Sequence, residues 1–319
     1  MSTSYPPIIK VYEVGPRDGL QNEKGVVPTA VKIEYINRLS QAGFRSIEAS
    51  AFVSPTAIPQ LSDASEVMMG IERVPGVSYP VLVPNIRGYE RALAAGATQI
   101  AVFTATSDSF TKANINATVA ESLERFQPVM QAAQADRIPV RGYVSTAFGC
   151  PYEGYIEPLA VLRVAERLLE LGVTELSIGD TIGVATPRQV REVLTLLLRS
   201  VPAHQIAVHF HDTRGTALAN TLEAIDMGIT TVDSSSAGLG GCPYAPGAAG
   251  NLATEDLLYM LHGMGITTGI DIEKAVSASR FILEALGKAA ASKYVQAVES
   301  DRTLVHVNAG AYYGPQVVT

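Results

Sequence analysis

Two histidines, two residues apart, are the sharpest chemical signal in this chain. They lie in Ala207-Val208-His209-Phe210-His211-Asp212. Side chains of an extended strand alternate with period two, so His209 and His211 project to the same side while Ile206, Val208 and Phe210 share the other. Two imidazoles so placed, with a carboxylate nearby, suit one divalent ion. Alone, the pair reads equally well as hydrogen-bonded core histidines. Asp18 and Asn251 add oxygen donors and favour the metal reading, and mixed nitrogen and oxygen ligation favours Mg²⁺ or Mn²⁺. No thiolate cluster calls for zinc, and no organic cofactor is expected.

Other polar residues stand where short apolar runs end. Arg17 precedes Asp18, and Glu48 lies in Ser46-Ile47-Glu48-Ala49, opposite in parity to Ile47. Glu48 either orients Arg17 or moves protons. Asp180, in Gly179-Asp180-Thr181, is either an active-site carboxylate or the N-cap of the following helix. Glu13 and Arg141 are expected to form structural ion pairs, and Cys150 to be a small buried residue. The segment from Ser236 to Gly247 is rich in glycine and proline and carries Cys242 near its middle. A long loop of that composition is a candidate lid.

Positioning these groups requires a scaffold, and its pattern is regular. Candidate strands at 8–14, 46–53, 78–83, 99–104, 140–146, 175–178, 206–210 and 231–235 alternate with helical patterns at 29–42, 86–95, 119–135, 158–171, 187–199 and 215–227. Gly43, Gly96, Gly172 and Gly228 follow helices, as left-handed caps should. Alternating β and α units imply a parallel sheet. The first strand ends in Gly15-Pro16-Arg17-Asp18-Gly19, which is not a dinucleotide-binding turn, so the expected fold is a (β/α)8 TIM barrel. Catalytic groups of such barrels sit at the C-terminal ends of the strands, which is where the polar residues above fall. A single catalytic domain is expected over 1–319, with the barrel over about 8–265 and an extra helix (271–286) and a tail beyond it.

Composition excludes other classes. The 319 residues are 47% hydrophobic and 17% charged, with a net charge of −7 and two cysteines. That is too few cysteines for a disulfide framework, and the charge gives no basic face for nucleic acid or membrane. No apolar run approaches the roughly 20 residues of a membrane span, and the first ten residues do not read as a targeting peptide. A cytoplasmic enzyme is the expectation.

The chain resembles the 3-hydroxy-3-methylglutaryl-coenzyme A lyases, within the barrel metallolyases and acyl-CoA synthases. The resemblance spans roughly residues 8 to 290. It rests on Glu13 through Lys24 (EVGPRDGLQNEK), Phe52-Val53-Ser54-Pro55, Arg141 through Ser145, and Gly149-Cys150-Pro151-Tyr152-Glu153-Gly154. It continues through Gly179 to Gly183, Ala217 to Leu222, Ala237 to Tyr244 and Gly250 to Asp256. It implies retro-Claisen cleavage of an acyl-CoA substrate to acetyl-CoA and acetoacetate, as in leucine breakdown. It further implies Asp18, His209, His211 and Asn251 as metal ligands, with His209 also among the catalytic groups. Arg17 would polarise the thioester carbonyl and, with Lys24, bind substrate. Cys242 matches the family's loop cysteine, and Glu48 and Asp180 fall on positions used near substrate. A dimer or tetramer of this chain is the expected assembly.

The chain departs from the family pattern at Phe210, where cysteine is usual, at Arg214, where tyrosine is expected, and at Ala49 and Ala51, where hydroxyl residues are more common. Ala51 and Arg214 bear on the acyl chain accepted, so a lyase for a longer branched homologue is one alternative. A Claisen-type synthase is another, although the Cys242 loop replaces the Gly-Glu-Arg-x-Gly-Asn stretch of such synthases. A pyruvate-forming aldolase and an inactive binding scaffold are the remaining readings.

Overall fold

β-Branched runs closed off by turn residues build the parallel strands of the computed structural model, which describes residues 5–241 and 250–300. The strands are β1 (Lys10–Glu13), β2 (Ser46–Ile47, resuming as Ser50–Ala51), β3 (Val81–Leu82), β4 (Ile100–Ala105), β5 (Val140–Ser145), β6 (Glu175–Asp180), β7 (Ile206–Phe210) and β8 (Thr231–Ser234). β1 pairs with β8 and with the first half of β2, whereas the second half of β2 pairs with β3. The two ends of the sheet are therefore two pieces of one run, and the sheet closes. Amides in that run alternate between neighbours, Ile47 donating to Ser78 O, Glu48 to Glu13 O and Ala49 to Pro80 O. The expected barrel is present, with the strand expected at 46–53 shortened and interrupted.

Helices α1 (Thr29–Ala42), α2 (Ala64–Gly70), α3 (Ile86–Ala94), α4 (Asp108–Ile115), α5 (Val119–Asp136), α6 (Pro158–Glu170), α7 (Pro187–Leu197), α8 (Ala217–Asp226), α9 (Thr254–Gly263), α10 (Ile272–Leu286) and α11 (Lys293–Ser300) complete the described chain. Several boundaries follow from local chemistry. α5 opens on a Thr118/Glu121 capping box, and α10 on Asp271, whose carboxylate accepts the amides of Glu273 and Lys274. α1 ends on Gly43 at φ 101°, where a Cβ would strike the Gly269 carbonyl. Three helices, α2, α4 and α9, and the Gly149–Cys150/Gly154–Tyr155 hairpin were not expected; α2, α4 and the hairpin are too short for a periodic pattern to register. α11 gives structure to part of the tail.

The main apolar core lies between strands and helices, where Ile206, Val208 and Phe210 are buried as their parity requires. Inside the barrel the filling is divided. Ala51, Leu82, Ala101 and Tyr143 form a small apolar cluster, while charged side chains from β5, β6, β7 and β8 occupy the rest.

Candidate active site

The site starts from the turn after β1. Residues Gly15–Gly19 form one tight helical turn in which the amides of Arg17, Asp18 and Gly19 all reach the Val14 carbonyl. Gly15 is required here, because a Cβ would run into the Tyr35 hydroxyl and the Glu13 carboxylate. The turn aims Arg17 and Asp18 inward. Arg17 Nε donates to Glu48 Oε2 at 2.8 Å, Nη1 donates to Asp18 Oδ1 at 2.7 Å, and the guanidinium lies 5.2 Å from the Tyr143 ring centroid. Tyr143 donates its hydroxyl to the same Glu48 oxygen at 2.9 Å. Burial works against the charge on Arg17, but Glu48 and Asp18 hold it cationic, so its pKa is raised.

β7 brings in the two imidazoles, with ring centroids 5.3 Å apart. Potential donor atoms of Asp18, His209 and His211 lie within 4.8 Å of one another. Asn251 arrives by tertiary pairing: Gly250–Leu252 runs antiparallel beside the end of β7, with Asp212 N donating to Gly250 O and Leu252 N to Phe210 O. Its Nδ2 donates to Asp18 Oδ2 at 2.8 Å and to Leu239 O at 3.0 Å. Gly240, at φ 101°, permits this approach, since a Cβ there would sit 2.6 Å from Asn251 Nδ2.

The donor set fits a divalent cation. Among the described residues, Asn251 Oδ1 and His211 Nδ1 are buried without a hydrogen-bond partner, which is costly unless a ligand completes them. Burial, and His209 beside it, lower His211 to a pKa of about 4, so its ring is neutral and free to ligate. Burial would raise Asp18, yet Arg17 and the imidazoles bring it down to about 2, leaving it ionised. Both therefore have the protonation state that metal binding needs.

The remaining expected residues divide. Glu48 is fully buried and grips Arg17, which is the orienting arrangement. Asp180 is also fully buried, and its two carboxylate oxygens accept the amides of Val184 and Ala185. It is not the N-cap of α7, a position held by Thr186, because β6 runs on to Asp180 and leaves five residues between them. Lys24 is exposed and, among the described residues, hydrogen-bonds to none of the other site residues. Cys242, and the loop segment 242–249, lie outside the described residues. Cys150 is buried, its thiol on Ser107 Oγ.

Glu13 is a correction. It has no ion-pair partner among the described residues and instead accepts the amides of Gly15 and Ser236 and the hydroxyl of Thr254. It points toward the loop junctions, where backbone donors satisfy it and no cation reaches. Arg141 does pair, with Glu175 and Asp233. Asp233 and Tyr143 are site residues the sequence reading missed. The signal was available, for Asp233 alternates with outward Val232 on β8 just as His209 does with Val208.

A cleft of about 370 Å³ opens at this end, lined by Asn22, Glu23, Gly240, Gly241 and Lys288 among others. A cavity of about 490 Å³ lies elsewhere, around His262 and Thr267–Asp271, where the chain pairs with Ile8 ahead of β1. That is the opposite end of the strands from the polar cluster.

The HMGL-like family model matches residues 8–282. The chain is 56% identical over 292 residues to the mitochondrial hydroxymethylglutaryl-CoA lyase of Mus musculus, covering 92% of this chain and 90% of that protein. It is likewise 56% identical to the cytoplasmic 3-hydroxy-3-methylglutaryl-CoA lyase of Rattus norvegicus, over 92% of this chain and 85% of the other. Among solved structures, an HMG-CoA lyase from Acinetobacter baumannii in complex with coenzyme A and 3-methylmalate superposes with a TM-score of 0.89. It is 40% identical, over 95% of this chain and 98% of that one.

Proposed function

Because the chain belongs to the HMGL-like family, we infer that it is a carbon–carbon lyase cleaving 3-hydroxy-3-methylglutaryl-CoA to acetyl-CoA and acetoacetate. The observation that carries this reading is the convergence of Asp18, His209 and His211 beside the buried Arg17 guanidinium. In this proposal Asp18, His209, His211 and Asn251 hold a divalent cation, with Mg²⁺ or Mn²⁺ the expected ions. Such an ion supplies Lewis-acid polarisation and a template for the oxygen atoms of the substrate.

The protein side chains account for the other requirements. Breaking the C2–C3 bond moves its electron pair onto the thioester, as an enolate, and turns the C3 hydroxyl into the ketone of acetoacetate. Arg17 donates to the thioester oxygen where that charge grows, and Glu48 and Tyr143 keep the guanidinium from swinging away. The hydroxyl proton must leave to a base. We assign it to Asp180, whose burial raises its pKa and makes it a stronger acceptor. The enolate carbon must gain a proton, which we assign to the Cys242 thiol, because a thiol is a far stronger acid than an aliphatic hydroxyl side chain. Lys24, beside the mouth in sequence, is assigned to the substrate's anionic groups.

We further read residues 1–319 as one catalytic domain, supported by the single closed sheet, and propose a homo-oligomer. A cytoplasmic location is supported by the cytoplasmic rat relative. Among the described residues no helix is long and apolar enough to cross a membrane. The test is a spectrophotometric assay of acetyl-CoA release from the methylglutaryl thioester and from a longer branched homologue. Chelation should abolish release and Mg²⁺ or Mn²⁺ restore it. Full activity in chelator after dialysis would sink the metal assignment, and preference for the longer substrate would reassign the acyl specificity.

A further inference from the structure

The barrel interior holds a row of alternating charges that none of the chemistry above uses. Lys10, half-exposed near the start of β1, lies 3.7 Å from Glu175 Oε2. Glu175 Oε1 accepts Arg141 Nη1 at 2.8 Å, and Arg141 Nη2 donates to Asp233 Oδ1. Asp233 Oδ2 accepts Ser177 Oγ at 2.9 Å and lies 3.2 Å from His209 Nδ1. The Arg141 guanidinium carbon also lies over the Tyr12 ring, 3.9 Å from its centroid. The register explains the alignment, since Asp233 stands beside His209 on one side and Tyr12 on the other. The row thus runs up the barrel and ends on a site imidazole.

Such a row is costly. Burying a charge demands a partner, and even a paired buried charge is often no more stabilising than apolar residues of the same volume. Barrel interiors are ordinarily filled by layers of branched apolar side chains. Stability alone does not account for the arrangement, but its end point does. An ionised carboxylate can only accept, so the hydrogen between Asp233 and His209 must be carried on Nδ1. That leaves Nε2, which faces Asp18 Oδ2 at 4.0 Å, as the bare nitrogen of the neutral ring.

We propose that Asp233 is a positioning residue that fixes the tautomer and orientation of His209 for metal binding, and that Arg141, itself backed by Glu175, anchors the Asp233 carboxylate in that place. The proposal rests on the metal reading of the site. Ring orientation and basicity of a ligating histidine are commonly set by such an outer carboxylate. Here the carboxylate is itself anchored by a cation from across the barrel. Ser177 occupies a remaining lone pair of Asp233, so the carboxylate cannot rotate without breaking several bonds together.

Two measurements test this on the full-length protein. Titration with Mn²⁺, followed by loss of the free-ion electron paramagnetic resonance signal, compares wild type with Asp233→Asn. The expected result is a 10- to 100-fold weaker affinity in the variant. Glu175→Gln, at the outer end of the row, should weaken it by a smaller factor. If wild type itself binds no Mn²⁺, the metal reading fails. If wild type binds and a folded Asp233→Asn binds as tightly, the positioning role fails while the metal reading stands. ¹⁵N chemical shifts of the His209 ring in the wild-type protein at alkaline pH supply the second measurement, which does not depend on any variant folding. Hydrogen on Nδ1 supports the proposal, and a neutral ring with hydrogen on Nε2 overturns it.

Discussion

Arg17 shows how one side chain can be committed by its neighbours before any substrate arrives. It is 6% exposed, and Glu48, Asp18 and the face of Tyr143 surround it. A guanidinium held this way loses little freedom on meeting an enolate oxygen, and its contribution falls mainly in the transition state. Arg17→Gln should therefore lower kcat by about 10²–10³ with little change in KM. Steady-state kinetics decide it, and a variant impaired only in KM would make Arg17 a binding residue. Cys242→Ser should also show a large fall in kcat, because a hydroxyl is a far weaker acid than a thiol, with Mn²⁺ affinity unchanged. Near-normal turnover by the serine variant would remove the thiol from the proton-transfer step.

At the level of elements, the site depends on where segments meet. The strand ends supply Asp18, His209 and His211, but Asn251 comes from a short extended segment lodged beside β7, with Ser235 N donating to Leu252 O on its other flank. The loop that precedes it turns through Ala237, Gly238 and Gly240, all at positive φ. The Ala237 peptide is held at both ends: Glu255 accepts its N–H, and the amides of Ala291 and Ser292 donate to its carbonyl. Gly240→Ala would add backbone strain of about 1–2 kcal/mol and press on Asn251 Nδ2. Mn²⁺ affinity should fall together with a modest drop in thermal midpoint. An alanine variant that binds Mn²⁺ like wild type would show that Asn251 does not depend on this glycine.

Across the whole molecule, two buried carboxylates tie the barrel to the active-site loop, and both affect stability through pH. Burial raises Glu13 and Glu255 from 4.5 to about 7, against the opposing effect of their hydrogen bonds. The native state thus keeps protons that the unfolded chain releases above pH 4.5. Their contribution is complete below that value and is lost as pH rises toward about 7, at about 1.4 kcal/mol per pH unit for each group within the window. Glu13→Gln can still accept from Gly15 and Ser236 while donating to Thr254 Oγ1. It should remove one group's share of the pH dependence while leaving the fold intact, as urea midpoints between pH 5 and 8 would show. Equal slopes for variant and wild type would mean that Glu13 is ionised throughout. What the sequence determined by itself was local and periodic. It fixed the eight-fold alternation, most helix limits and glycine caps, and the inward parity of His209 and His211, because φ/ψ preferences and side-chain alternation act over a few residues. The partners of those groups were decided only by tertiary structure. Glu13 found backbone amides where an ion pair was expected, Asp180 capped its own loop, and Asp233 met His209 because β8 lies in register beside β7. Each outcome turns on which distant strand or loop reaches a buried polar group first, and no spacing along the chain encodes that distance.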